Sequence, residues 1–501
     1  MLRGRLNGLL GGVLLGLVLA AAALGLAHLK GQQDMAPRIL MVDGAPGEGI
    51  TTQEAHAISE MFANLLEGCG KVAVTRIAAS ALPDEGPIPG ATARTFVIRL
   101  FPRRAAGGLS LGVALSPGGA FRHRDILRAQ PGGPTTPQEA FRQAWRSLPL
   151  RLPRERVDLF LPKDAGLFWR LVHLHGEGMR TSRLDASIEE IRQILRQEPD
   201  CLEALALMGR LHIVRAYKVR GRRPEGFSDA LQALERAVAA PEVHPLACAD
   251  LVGLRVESGQ ARLVLDQLLD TLHRCPDSPR LLLATSYAGR TSGLMGLALA
   301  ASRRYRRISL PEGRPISLDR AFLYAGDLAS YEQTLDRNAW SDDPYMLFQR
   351  AHLALMHGDR TGAREFFLAA SRPREDASPL AGSAALISRA FLELLDGQMD
   401  RARELLREDE RLRESGAILD GEELVNLVEA YVLLGDIPKG FALAERAFAQ
   451  GFGCLAWFER NPLLDGLRAS PRWPALQQSL RERQEMLQRR FPPRSYTFLE
   501  R

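Results

Sequence analysis

Between Ala186 and Phe452 the apolar positions recur with a helical period, in paired segments divided by a glycine. Three pairs share one skeleton: Leu347, Ala351, Gly358, Ala363, Phe367, Ala370; then Ala390, Gly397, Ala402, Leu406; then Leu424, Leu427, Tyr431, Gly435, Ala444, Ala447. Small residues let two helices approach closely, and the glycine supplies the left-handed turn between them. The pattern predicts stacked helical hairpins, an α-solenoid. Upstream the spacing continues less regularly. Ala186 to Gln197 reads as the second helix of a pair. Leu205, Met208 and Gly209 open another, with its loop enlarged by Arg220 to Gly226. Gly259 turns a third, Gly289 and Gly293 compete for a fourth, and Gly326 turns a fifth. Gly451 to Phe491 reads as the atypical end unit that shields the last apolar face.

Ahead of the helices the pattern changes twice. Leu6 to Leu29 is almost unbroken Leu, Ala, Val and Gly, which reaches the roughly 20 residues needed to span a bilayer. Arg3 and Arg5 outweigh Lys30, so the expected topology is single-pass, with the N-terminus cytoplasmic and everything after Lys30 outside the cytoplasm. The alternative is a cleaved secretory signal and release of the exported chain, since Gly25 and Ala27 offer small residues at cleavage spacing. From Arg38 the chain reads β-α-β-β-β-α: Arg38 to Asp43; a helix capped at Thr51 with Glu54 three residues on; Lys71 to Ile77; Arg94 to Phe101; Leu109 to Leu115; and a helix from Pro137 to Leu148. Val157 to Leu161 is expected to add a strand.

Composition changes this picture little. With 46% apolar and 25% charged residues the chain has the composition of an ordinary folded protein, with no long low-complexity tract. The net charge of +6 is modest and spread out, and Arg carries it. The runs Lys218 to Arg223 and Arg303 to Arg307 come with no nucleic-acid fold signature, so they are expected to be solvated and no nucleic acid is expected as a partner. Five scattered cysteines, Cys69, Cys201, Cys248, Cys275 and Cys454, form no metal-binding pair.

Candidate chemistry is sparse. Gly44 to Thr51 has the spacing of a phosphate loop, but Ile50 stands where the lysine must be. His173 and His175 lie about 200° apart on a helix and cannot chelate one ion. Glu189, Glu190, Glu408 and Asp409 sit on charged helical faces where solvation is expected. The reading is of a protein that is not an enzyme, with no catalytic, cofactor-binding or metal residues and no cofactor. Partner contacts are expected on the groove-facing polar positions of the first helices: Gln349, Arg350, His352, Asn426 and Glu429.

The ending carries the most specific resemblance: Ala447, Gly451-Phe452, Trp457-Phe458, Pro462, Leu467, Pro471 and Trp473. With the β-α-β-β-β-α unit ahead of the repeats, it makes the chain resemble bacterial tetratricopeptide-repeat proteins that carry a TolB-like amino-terminal domain. That module is commonly attached behind a kinase, a winged-helix regulator or a nucleotide cyclase. Here five residues precede the apolar span, so the resemblance implies a sensory or scaffolding half alone. The expected fold is mainly α: an α-solenoid of tetratricopeptide-like helix hairpins, preceded by a small α/β domain and one N-terminal transmembrane helix. Its expected divisions are 1–5, 6–29 (anchor), 30–37 (linker), 38–163 (α/β domain), 164–491 (repeats) and 492–501 (tail). The expected function is a membrane-anchored scaffold that binds a protein segment in its groove. The alternative is a sensory subunit whose α/β domain detects a ligand and signals through a separate regulator.

Overall fold

The computed structural model describes residues 37–77, 82, 85–86, 88, 91, 94–105, 108–118, 121–122, 135–148, 157–218, 223–309, 315–337, 343–372, 379–414 and 421–500. The apolar segment Leu6 to Leu29 and most of the basic run Lys218 to Arg223 lie outside them. No described helix is long and apolar enough to cross a membrane.

The strands are β1 (Arg38–Val42), β2 (Ala73–Ile77), β3 (Glu85–Gly86), β4 (Thr95–Ala105), β5 (Gly108–Pro117) and β6 (Phe121–Arg122). The main sheet has the order β2-β1-β4-β5, with β1 parallel to both neighbours and β4 antiparallel to β5; β3 pairs only with β6. All five residues of β1 are buried, as the continuous apolar run of a central parallel strand requires. Helix α1 (Thr52–Gly68) joins β1 to β2 and starts in the expected capping box of Thr51 and Glu54. Helix α2 (Pro137–Arg146) packs on β5. The expected strand at Val157 is instead a short helix, α3 (Val157–Phe160). Val157, Phe160 and Leu161 are buried while Asp158 and Leu159 are exposed, a helical period that a strand cannot present to one core.

The helical region is a run of pairs: α4 (Ala165–Glu177) and α5 (Leu184–Gln197); α6 (Leu202–Lys218) and α7 (Arg223–Ala239); α8 (Pro245–Glu257) and α9 (Leu265–Arg274); α10 (Pro279–Ser292) and α11 (Met295–Ile308). Then come α12 (Ile316–Tyr324) and α13 (Leu328–Arg337); α14 (Pro344–Met356) and α15 (Arg360–Ala370); α16 (Pro379–Leu395) and α17 (Met399–Glu414); α18 (Leu424–Leu433) and α19 (Ile437–Ala449). Short helices α20 (Leu455–Arg460) and α21 (Asp465–Arg468) lead to the long α22 (Trp473–Arg490). Gly358, Gly397 and Gly435 turn their pairs at φ of 79°, 77° and 81°, and Gly293, not Gly289, turns α10 into α11 at 94°. Gly289 instead lies where α10 crosses α11, with the Ala298 backbone against its Cα. Arg223 to Gly226, expected as loop, begins α7.

Ala351, Ala363, Phe367, Leu406, Tyr431 and Ala447 are all buried between helices, as the repeat pattern demands. The α/β unit is not held apart from this stack. Phe62 of α1 meets Phe141 of α2 at 5.6 Å between ring centroids, and Phe141 meets Phe168 of α4 at 6.0 Å. One continuous core runs from Ile39 through Phe168 to Leu211.

A polar seam runs beside that core. His56, Glu60, Asn64 and Glu67 recur on one face of α1. Asn64 donates to the fully buried Glu203 of α6 at 2.9 Å, Glu60 pairs with Arg76 at 3.2 Å, and Ser278 donates to Glu67. His175 and His244 stand 3.5 Å and 3.4 Å from the Glu203 carboxylate. Burial alone would raise the Glu203 pKa; the two histidines outweigh it and hold the carboxyl well below its ordinary value.

The hairpins do not form an open trough. From α8 to α19 they come round until the end meets the beginning. Gly451, after α19, lies against the Gly259 turn, and Gly453 N–H donates to Thr291 O at 2.6 Å. Arg460 of α20 donates to Ala325 O. Helix α22 then folds back, with Arg490 paired to Asp266 and Leu487 and Phe491 packed into the core around Leu265 and Leu297.

Candidate interaction surfaces

The first helices α10, α12, α14 and α18 face inward, and what they enclose is polar and buried. Arg290 of α10 donates through Nε and Nη2 to both oxygens of Glu422, at 2.7 Å and 3.0 Å. Arg320 of α12 donates to Glu423 at 2.7 Å and to the Tyr345 hydroxyl at 2.9 Å. Burial would raise the Glu422 pKa, but the two guanidiniums hold it down at about 2. Burial pushes the Tyr324 and Tyr345 hydroxyls well above their usual range, so both remain protonated and neutral. Four side-chain donors in this region have no hydrogen-bonding partner among the described residues: Arg290 Nη1, Arg320 Nε, Gln349 Nε2 and Trp457 Nε1.

Four of the five expected partner contacts lie in this interior, and they are not exposed. Gln349, His352, Asn426 and Glu429 are at most 5% exposed. Gln349 accepts from the Tyr331 hydroxyl at 2.8 Å, and Asn426 donates to Glu423 at 3.2 Å. His352 and Asn461 hold the two oxygens of Glu429 at 2.8 Å and 2.5 Å. Arg350 is half-buried and caps the end of α13 by donating to Leu335 O at 2.8 Å. The expectation of solvent exposure is thus corrected for Gln349, His352, Asn426 and Glu429: ring closure turns these four inward, where each is bonded within the protein.

Outside the ring the chain's own C-terminal segment lies against α9 and α11. Tyr496 and Leu499 are buried, and the Phe498 ring sits 3.9 Å from that of His273. Arg307 of α11 donates to Glu500 O at 2.9 Å and also to Leu499 O. Beside Glu500 lies a cleft, about 570 Å³ in volume, lined by Ala300, Arg303, Arg306, Arg307, Phe322, Asp327, Ser330 and Glu500. The basic run Arg303 to Arg307 is therefore no solvated loop. Arg304 is buried on Asp277, and Arg306 binds Asp319 at 2.9 Å and Thr334 at 3.0 Å while lying over the Phe322 ring. Arg303 is exposed, with no hydrogen bond or ion pair among the described residues.

At the carboxyl edge of the sheet, Asp43 accepts from Arg76 at 3.0 Å and lies 3.3 Å from His56. The glycine loop beyond it is spent on the sheet. Ala45 N–H donates to Leu100 O and Gly47 N–H to Pro102 O, both at 3.1 Å, and Arg104 N–H returns to Glu48 O at 3.0 Å. Those amides run alongside β4 and do not ring a phosphate. His173 and His175 part as their spacing requires. His173 meets Arg183 near the surface, and His175 turns in toward Glu203. Glu189 stays in water beside Arg192 and Arg196. Asp409 does not: it is fully buried, bonded to Arg413 at 2.6 Å. The five cysteines are buried and unpaired with one another.

The polar interior was not predicted as such. Its partners are up to 132 residues apart, and no local spacing marks such a pair. The only local signal was polar residues on the first helices where neighbouring hairpins carry apolar ones.

These features define a helical-hairpin repeat protein whose stack closes on itself and carries an α/β unit at its amino-terminal side. No protein-family model matches the chain, and no curated protein is similar to it in sequence. Among solved structures it is similar to a chain in the crystal structure of the APC/C hetero-tetramer Cut9-Hcn1, with a TM-score of 0.38 and 13% identity. The match covers 68% of this chain and 62% of that one, so the chain spans less than two thirds of that chain's length.

Proposed function

We propose that the protein is a non-enzymatic scaffold that binds segments of a protein partner on the outer surface of its repeat, held to a membrane by Leu6 to Leu29. The supporting observation is the repeat's grip on its own tail. Two buried anchors, Tyr496 and Leu499, and an arginine on the backbone carbonyls are how a helical surface takes a peptide. The TolB-like reading of the α/β unit, and export of everything after Lys30, belong to the same proposal. The test is photocrosslinking in intact cells, with the reactive residue placed in turn at Arg303, Leu368 and Leu433. The last two are exposed apolar positions on the hairpins. Discrete adducts of one protein, in a membrane fraction that resists carbonate, are expected. A fully expressed protein that gives no adduct at any position, or is lost from the membrane fraction, ends the reading.

A second reading is favoured by the edge of the sheet. Asp43, His56 and Arg76 stand at the carboxyl ends of two parallel strands, the edge where open α/β sheets bind ligands. In this reading the protein is the sensory subunit of a separate regulator. A small anion or metabolite that raises the melting temperature of the full chain, with the gain lost in Arg76→Ala, supports it. A melting temperature that no such library member moves removes it.

A further inference from the structure

We propose that the cleft between α11 and the α12/α13 pair docks an acidic linear segment of a partner protein, beside the stretch Tyr496 to Glu500. This rests on the scaffold reading and names where the partner binds and what it is.

The volume, about 570 Å³, lies within the range of roughly 300–1,000 Å³ typical of ligand sites. One wall is α11, giving Ala300 and three arginines. The facing wall is Phe322, Asp327 and Ser330. The apolar parts of these walls are Ala300 and Phe322, both buried, with the Arg306 guanidinium 4.0 Å over the Phe322 ring. Arg306 is committed to Asp319 and Thr334 and so serves as a fixed wall. Arg307 already holds peptide backbone, through the Leu499 and Glu500 carbonyls. Burial and, after it, the neighbouring Arg304 charge lower its pKa, with Asp277 and Glu500 acting the other way. Arg303 stands exposed at the mouth, its guanidinium without a hydrogen bond or ion pair among the described residues.

The occupant follows from these groups. An unengaged guanidinium takes carboxylates in bidentate geometry. The adjoining stretch already holds an aromatic and acidic peptide, Tyr496 to Glu500, so the surface has the depth and the backbone contacts for an extended chain. The cleft lies on the outside of the ring, and it is reached without opening the Arg290–Glu422 closure.

The test uses the full chain in detergent and a fluorescein-labelled peptide alternating glutamate with tyrosine and phenylalanine, followed by anisotropy. Binding that weakens with added salt is expected, reduced about tenfold or more in Arg303→Glu and little in Arg401→Glu, a remote exposed arginine. Ser330→Trp fills the cleft without changing charge and is expected to abolish binding while leaving the circular dichroism unchanged. Equal binding of a lysine-substituted peptide, or binding unchanged in both cleft variants, overturns the proposal. So does full displacement by inorganic phosphate at micromolar concentration, which would make this a small-anion site. If crosslinks at Leu368 and Leu433 persist while the peptide ignores the cleft, the cleft is wrong and the scaffold stands. If crosslinks fail everywhere, the scaffold reading falls with it.

Discussion

Arg290 Nε lies 2.7 Å from Glu422 Oε1, joining two residues 132 positions apart, both 1% exposed. This pair locks the fourth hairpin to the eighth and closes the ring. Removing Glu422 strands Arg290 in the interior, and removing Arg290 leaves Glu422 to the longer contact with Arg320 at 3.4 Å. Arg290→Met and Glu422→Leu are each expected to cost about 3–5 kcal/mol in urea unfolding. The double variant is expected to lose clearly less than the sum, because neither charge is then left unpaired. Additive losses would mean that the two side chains do not interact.

The same pair makes stability depend on pH in a set direction. Glu422 is held at about 2, below the ordinary 4.5 of the unfolded chain. A depressed carboxylate stabilises fully above its unfolded pKa, and that contribution is lost as pH falls through the folded value. The wild type is therefore expected to lose stability between about pH 4.5 and 2. Glu203 adds to the loss in the same direction. Equilibrium denaturation across this window should show a shallower slope in Glu422→Gln, and equal slopes would remove Glu422 from the account.

His352, Gln349 and Asn426 should behave as core residues and not as contacts. His352→Ala leaves the fully buried Glu429 with Asn461 as its remaining hydrogen-bonding partner, and is expected to cost about 1–3 kcal/mol. Arg364→Ala, at an exposed ion pair, should leave stability nearly unchanged. A His352→Ala protein of normal stability that has lost its partner would reinstate the groove as the binding face.

The turn glycines separate into two kinds. Gly435 has a φ of 81° and nothing near a built Cβ, so Gly435→Ala is expected to cost only the left-handed conformation, about 1–2 kcal/mol. At Gly451, with a φ of 97°, a Cβ would stand 2.8 Å from Gly259 Cα, at the point where the ring meets itself. Gly451→Ala should cost about twice as much or more, since backbone must shift. Equal melting temperatures for the two variants would show that the seam yields easily.

Residues 38–163 are expected not to fold alone. Helix α1 buries Phe62 and Leu65 in a core shared with α4 and α6, and Asn64 and Glu67 depend on Glu203 and Ser278. The isolated fragment should show collapsed amide dispersion and rapid proteolysis, whereas 38–292 supplies α4 to α10. A well-dispersed spectrum from 38–163 would restore an autonomous domain.

Much of the fold was present in local spacing. The glycines at 293, 326, 358, 397 and 435, the small residues at helix crossings and the Thr51 capping box each act within a few residues of themselves. Val157 to Leu161 was misread because five apolar-rich residues carry too few periods to separate strand from helix.

The sequence by itself determined that the chain is made of helical hairpins behind a small α/β unit, because turn chemistry and apolar period are local properties. Tertiary structure decided which way the polar positions face. A small curvature at each hairpin adds up over six of them, from Gly259 to Gly451, until the two turns touch, and no single hairpin encodes that sum. Closure sends Gln349, His352, Asn426 and Glu429 inward and leaves the tail and its cleft on the outside.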